Sequence, residues 1–162
     1  MASSSTAATP AVASPALVIF AAGLTCGVLD LTAAFVTAYL RAGVGPVRIL
    51  KGIASGALGQ AAFSGGWEIA ALGAGFHFLI AFTAAAVFYF ASRRLHFLTG
   101  RAVIWGIVYG VAVYLVMYWI VQPLSLLRRP AFNPTSHAIA IVTHMLCVGL
   151  PIALVVRSCS RR

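Results

Sequence analysis

Four stretches of this chain, residues 16–40, 69–91, 102–121 and 138–156, are long, apolar and almost free of charge. A helix rises about 1.5 Å per residue and the hydrocarbon core of a bilayer is about 30 Å thick, so about 20 apolar residues suffice to cross it. All four stretches reach that length, and Asp30 is the one charge inside them. The pattern predicts an all-α integral membrane protein, a single four-helix transmembrane domain over residues 16–157. A disordered leader over 1–15 precedes it and a basic tail over 158–162 follows. The ends carry helix signals. Ser14 and Pro15 suit an N-cap and first turn, Ser92-Arg93-Arg94 closes the second span and Gln122-Pro123 the third, and Asn133-Pro134 opens the fourth, which Arg157 closes.

Composition excludes the soluble alternatives. Charged residues make up 8% of the chain and apolar residues 62%, with a mean hydropathy of +1.01, where a soluble domain carries roughly 25% charged residues. So few charges cannot coat a globule, but they can coat the two ends of a bundle whose sides face lipid. A net charge of +9 raises the question of nucleic acid. The Arg and Lys residues, however, sit between and after the apolar runs, where the bilayer and its anionic headgroups are the partners; no nucleic-acid partner is expected. Cys26, Cys147 and Cys159 are odd in number and widely spaced, which argues against a disulfide framework. Residues 1–14 are rich in Ser, Ala, Thr and Pro and lack the positive n-region of a secretory signal.

The segment between the first two spans is too long for a turn. From Pro46, the residues Val47, Leu50, Ile53 or Ala54, Ala57 and Ala61 recur at helical spacing, with Arg48, Lys51 and Ser55 off that stripe. This predicts an amphipathic helix over about 46–62, preferred as interfacial; Gly52, Gly56 and Gly59 would also suit a re-entrant segment packed on the bundle. Helix contacts are signalled by Gly23-x-x-x-Gly27 and Gly106-x-x-x-Gly110, and more loosely by Ala71 and Gly75. Pro151 predicts a kink near Cys147. Arg93, Arg94, Arg101, Arg157, Arg161 and Arg162 fall on the N-terminal side of the membrane, and Arg41, Arg48, Lys51, Arg128 and Arg129 on the other. This small excess favours cytoplasmic termini.

A few polar residues lie deep in the spans. Asp30 falls about two residues past its span's midpoint, His77 about three before, Tyr114 two to three past, and His144 about three before. Alternate spans run in opposite directions, so all four offsets point to the same leaflet by roughly 3 to 5 Å. One intramembrane layer is therefore expected to hold Asp30, His77, Tyr114 and His144. An unpaired charged Asp at that depth costs at least about 2.5 to 3.5 kcal/mol, so it must face inward, protonate or pair with an imidazole. Two uses compete, a hydrogen-bonded network that fixes the packing and a proton- or cation-responsive site, and the first is preferred.

Two further uses weigh less. Cys26 with Asp30 and His144 with Cys147 each share a helix face, giving thiolate, imidazole and carboxylate donors that a transition metal accepts. His77 and His144, on different spans, are the residues that would serve as axial haem ligands. Neither is preferred, and no cofactor is expected. There is no P-loop, H-E-x-x-H or G-x-S-x-G motif, and the two carboxylates are far apart in sequence, so the chain is not read as an enzyme. His96 and His137 fall near the membrane interfaces and are read as solvated.

His77-Phe78 opening the second span, Gly106 and Gly110 in the third, Pro123-Leu124 after it and His144 in the fourth resemble the small four-span bacterial inner-membrane proteins of unknown function, including the YagU-like group. The resemblance covers about residues 16–157 and implies a bacterial inner membrane and four helices, with no assigned reaction. The expected role is a non-enzymatic structural, assembly or stress-related membrane component. The alternative is a small proton- or cation-linked transporter, as a homodimer because four short spans barely enclose a path.

Overall fold

The computed structural model describes residues 14–127 and 131–160; the residue 1–13 part of the leader and Arg128, Arg129, Arg161 and Arg162 lie outside the described residues. Four helices are long and apolar enough to cross a membrane: α1 (Pro15–Ala42), α3 (Trp67–Arg94), α5 (Ala102–Leu124) and α6 (Pro134–Cys159). Between them lie the amphipathic α2 (Pro46–Leu58) and the short α4 (Phe97–Gly100). No strand occurs among the described residues. The chain is an all-α multi-pass membrane protein.

Each span runs a few residues beyond its apolar stretch, because hydrogen-bonding side chains and prolines set the ends. Ser14 Oγ accepts from the Leu17 amide at 3.3 Å with Pro15 in the first turn, and Asn133 Oδ1 accepts from the Ser136 amide at 3.0 Å with Pro134 behind it. Gly43, at φ 62°, ends α1 in the left-handed conformation that a side chain disfavours.

The bundle is small inside and large outside. Its core gathers Ala22, Cys26, Ala81, Ala85, Ala102 and Ala153 around Phe88, Ile152 and Val156, while Leu17, Phe20, Val36, Leu79, Phe90, Ile104 and Ile120 point outward. A water-soluble fold could not expose so many large apolar side chains. In lipid they cost nothing, and close backbone approach provides the cohesion. α1 packs on α3, α6 on α5 and the second half of α6 on α1, so the order around the bundle is α3, α1, α6, α5. Tyr109 closes the ring: its hydroxyl donates to the Ala84 carbonyl at 2.7 Å and its ring meets Phe88 edge-on at 5.0 Å.

The glycine pairs lie at these crossings. A Cβ on Gly27 would meet the Phe78 ring at 2.7 Å, and Gly23 lies against Phe82. Gly106 lies against Ala153 and Leu150, and Gly110 lies on the His144 carbonyl and faces Gly149 across the same crossing. The looser pair is different. Ala71 is exposed and a Cβ on Gly75 would meet open space; the close approach on α3 is made by Gly73, buried against the Leu50 carbonyl of α2.

Two prolines leave matching marks. Pro123 and Pro151 have no amide hydrogen and their rings crowd the carbonyl four residues back. Ahead of each the helix widens into a π turn, at Met117–Val121 and His144–Gly149, where the Gln122 amide reaches Met117 O and the Leu150 amide reaches Met145 O. At Cys147, where a kink was expected, the helix takes this wider turn.

α2 ends four residues before the predicted limit. Gly59, at φ 60°, stops it, and Gly59–Ser64 continue as a 3₁₀ helix. The tighter period shifts the phase, so Ala62 is buried in place of Ala61, which is exposed; Ala57, still within α2, is exposed as well. Ser55, expected on the polar side, is buried with its hydroxyl donating to Gly52 O at 2.6 Å. α2 packs along α3, and Ile53 reaches the interior of the bundle.

These contacts make a contrast testable. Gly110→Val forces a branched side chain into the α6 backbone and should destabilise the fold by about 1 to 3 kcal/mol, whereas Gly75→Val should leave it unchanged. Unfolding in mixed micelles, followed by circular dichroism, reads both.

Candidate intramembrane polar site

Asp30, His77 and His144 come together. With Cys26, Ile53 and Met117 they line one partly open cavity of about 120 Å³ between α1, α2, α3, α5 and α6. Each reaches it for a local reason. Asp30 lies one turn beyond Cys26, on the face of α1 that Gly23 and Gly27 bring against α3. His77 lies one turn beyond Gly73, on the side of α3 that meets both α1 and α2. His144 begins the π turn that Pro151 imposes on α6.

The imidazoles are held by backbone carbonyls. His77 Nε2 lies 2.9 Å from Gly27 O across the α1–α3 interface, and His144 Nδ1 lies 2.8 Å from Ala140 O one turn earlier in its own helix. Both carbonyls can only accept, so these ring nitrogens carry the protons and donate. Asp30 has neither imidazole as a hydrogen-bond partner, and among the described residues no side chain or amide donates to its carboxylate. The expected Asp–His pairing is therefore one of shared space.

A groove of about 500 Å³ runs from this layer to one end of the bundle. Asp30 and His144 lie at its inner end and Arg41 and Ser136 at its mouth, with Thr37, Thr143 and small alanines along the walls. The first turns of α6 diverge from α1 here, and the Arg41 guanidinium bridges the gap by donating to Ser136 Oγ at 3.2 Å. On the opposite side of Asp30 the bundle is packed solid, by Val18, Ala22, Phe88, Ile152 and Val156. The groove leads toward the Arg41 end of the bundle, and an apolar cleft between α3 and α5 adjoins the cavity at Ile80, Ala84, Val113 and Met117.

Tyr114 stands apart from the other three. Its hydroxyl lies 2.5 Å from His137 Nδ1, and it meets His144 only ring to ring, with centroids 5.7 Å apart. His137, expected to be merely solvated, is half-buried, stacked on Phe132 at 4.6 Å and edge-on to Tyr118 at 4.7 Å. It lines a second pocket of about 530 Å³ with Tyr114, Gln122 and Asn133. The signal for it was present in the sequence: His137 and His144 lie two helical turns apart and share a face. His96 is exposed, as expected.

The metal and haem alternatives fit this geometry poorly. Cys26 Sγ lies 3.4 Å from Gly23 O, within its own helix, and among the described residues no three His, Cys, Asp or Glu side chains form a metal-binding group. The cavity that the two imidazoles share is about 120 Å³, below the roughly 300 Å³ of even a small drug-sized site.

Water access is directly measurable. In a chain without its native cysteines, Thr37→Cys and Ala140→Cys should react with a membrane-impermeant maleimide added to one face only, while Ile152→Cys should stay unlabelled from either face. Equal protection of all three would leave the groove dry. Comparison with known protein families, with curated proteins and with solved structures finds no match, so what this site does has to be deduced from its own geometry.

Proposed function

We propose that this chain is a small, non-enzymatic, proton-linked membrane carrier in which Asp30 is the loading site. One observation carries the proposal: an intramembrane carboxylate with no hydrogen-bond donor among the described residues shares a cavity with two imidazoles, and a groove leads from it to one face. Lipid makes an isolated carboxylate expensive, so such residues face cavities and mark ion or proton paths. With no fixed donor beside it, Asp30 is free to exchange its proton with water in the groove. Release to the other face requires α1 and α6 to part where Val18, Ala22, Ile152 and Val156 now meet, which makes this arrangement one end state of an alternating carrier.

The membrane proposed is the bacterial inner membrane with both termini cytoplasmic. The family resemblance supports the first point and the small Arg and Lys excess the second.

A structural component remains the competing role, and a specific observation favours it: both imidazoles are bonded to backbone carbonyls, as packing residues would be. The two roles separate in proteoliposomes. Under an acid-outside pH gradient, with a short-chain sulfonate supplied outside, the wild-type protein should acidify a dye-loaded lumen, and Asp30→Asn should abolish the uptake at equal incorporation and an unchanged unfolding midpoint. A variant that is less stable, from a wild type that moves no protons, would identify a structural component.

A further inference from the structure

The groove is far larger than a proton path requires. A water molecule takes about 30 Å³, whereas the groove holds about 500 Å³, the scale of a site for a small organic molecule. Its mouth is cationic. The described charges at that end of the bundle are Arg41, Arg48, Lys51 and Glu68, and all but Arg41 are engaged elsewhere. Arg48 lies over the Phe63 ring, Lys51 donates to the Gly65 carbonyl, and the Glu68 carboxylate accepts from the Gly66 amide at 2.7 Å. Arg41 alone faces the groove. Its one hydrogen bond among the described residues, to Ser136, leaves the rest of its planar fork open to the oxyanion geometry that guanidinium matches best.

We infer that the substrate carried with the proton is a small organic anion, a carboxylate or sulfonate with a short aliphatic body. Its head sits on Arg41 and Ser136 and its body on Ala34, Ala38 and Ile139. This inference rests on the carrier proposed above and names its cargo. A phospholipid suits the groove less well, because an acyl chain following these walls would end against Asp30 and His144.

The same arrangement couples anion to proton. Asp30 and Arg41 are about 16 Å apart along α1, which places a bound anion on the order of 10 Å from Asp30. At an effective dielectric near 20, repulsion between two negative charges at that distance weakens binding by on the order of tenfold. Neutralising Asp30 removes that repulsion, so the anion binds more tightly once the carboxylate charge is gone. The groups that face Asp30 are Cys26 on its own helix, His77 on α3, and His144 and Cys147 on α6; α2 and α5 present only Ile53, Val113 and Met117. The role of Asp30 is therefore read by removing its charge in Asp30→Asn, with both imidazoles left in place.

The test is titration calorimetry of the full chain in detergent with butanesulfonate, whose charge does not vary with pH, and butylammonium. Butanesulfonate should bind and butylammonium should not. Arg41→Gln should weaken binding at least about tenfold and Arg41→Lys by less, while at pH 8 Asp30→Asn should bind about tenfold more tightly than wild type. Preference for butylammonium, or affinity unchanged in Arg41→Gln, overturns the anion site; the wild-type preference needs no variant to fold. Failure of butanesulfonate together with Arg41-dependent binding of phosphatidylglycerol in nanodiscs overturns it in favour of a lipid headgroup. Proton uptake without butanesulfonate binding defeats the anion alone, whereas butanesulfonate binding without Asp30-dependent proton uptake defeats the carrier.

Discussion

Hydrocarbon gives apolar helices no reason to leave it, so this bundle depends on how closely its backbones can approach. Backbones meet directly at the crossing of α5 and α6, where Gly106 and Gly110 face Gly149 with no side chain between them. Dispersion falls off so steeply that a gap of even 1 Å forfeits a large part of it. Large residues therefore lie outside, where lipid solvates them, and alanine and glycine lie inside. The hydrophobic core of a soluble domain is built the other way round.

That constraint also explains where the polar site lies. One end of the bundle is filled by closely packed alanines, Phe88, Ile152 and Val156. Toward the other end the prolines intervene. Pro151 widens α6 at His144, Pro123 widens α5 at Met117, and both residues line the cavity. A π turn adds a residue to the helix without adding a full turn, which re-aims the side chains that follow and loosens the packing locally. The cavity thus lies next to two irregular turns, and the closely packed end is regular helix.

Much of this was legible in the sequence because the signals were local or had a simple period. Four apolar runs, the Ser14 and Asn133 caps, and the glycine pairs at 23, 27, 106 and 110 are each read from a few adjacent residues. Depth was legible too: residues counted from the middle of each span placed Asp30, His77 and His144 in one layer, and they line one cavity. Azimuth was not. Tyr114 lies at the right depth, but the rotation of α5 turns its hydroxyl to His137, and nothing in one span's sequence states its rotation against its neighbour. Ala71 and Gly75 failed for the same reason: small residues at helical spacing show that a face can pack closely, and only the third dimension shows that Gly73 is the one that does. In α2 the error lay in assuming a single period through Gly59, where the helix changes type.

The bonds of the two imidazoles bear on what Asp30 can do. An imidazole donating to a backbone carbonyl presents its other nitrogen as an acceptor while neutral, so neither His77 nor His144 becomes a cation without exposing a second N–H in the cavity. A carboxylate in the same cavity is the acceptor such a proton would need. A charge taken into low dielectric is costly unless it is paired, so a carboxylate and two imidazoles around one cavity gather the polar groups of three helices in one place while lipid surrounds the rest. In the carrier proposed above, a proton taken up from the groove is what cancels the carboxylate charge before the packed end opens.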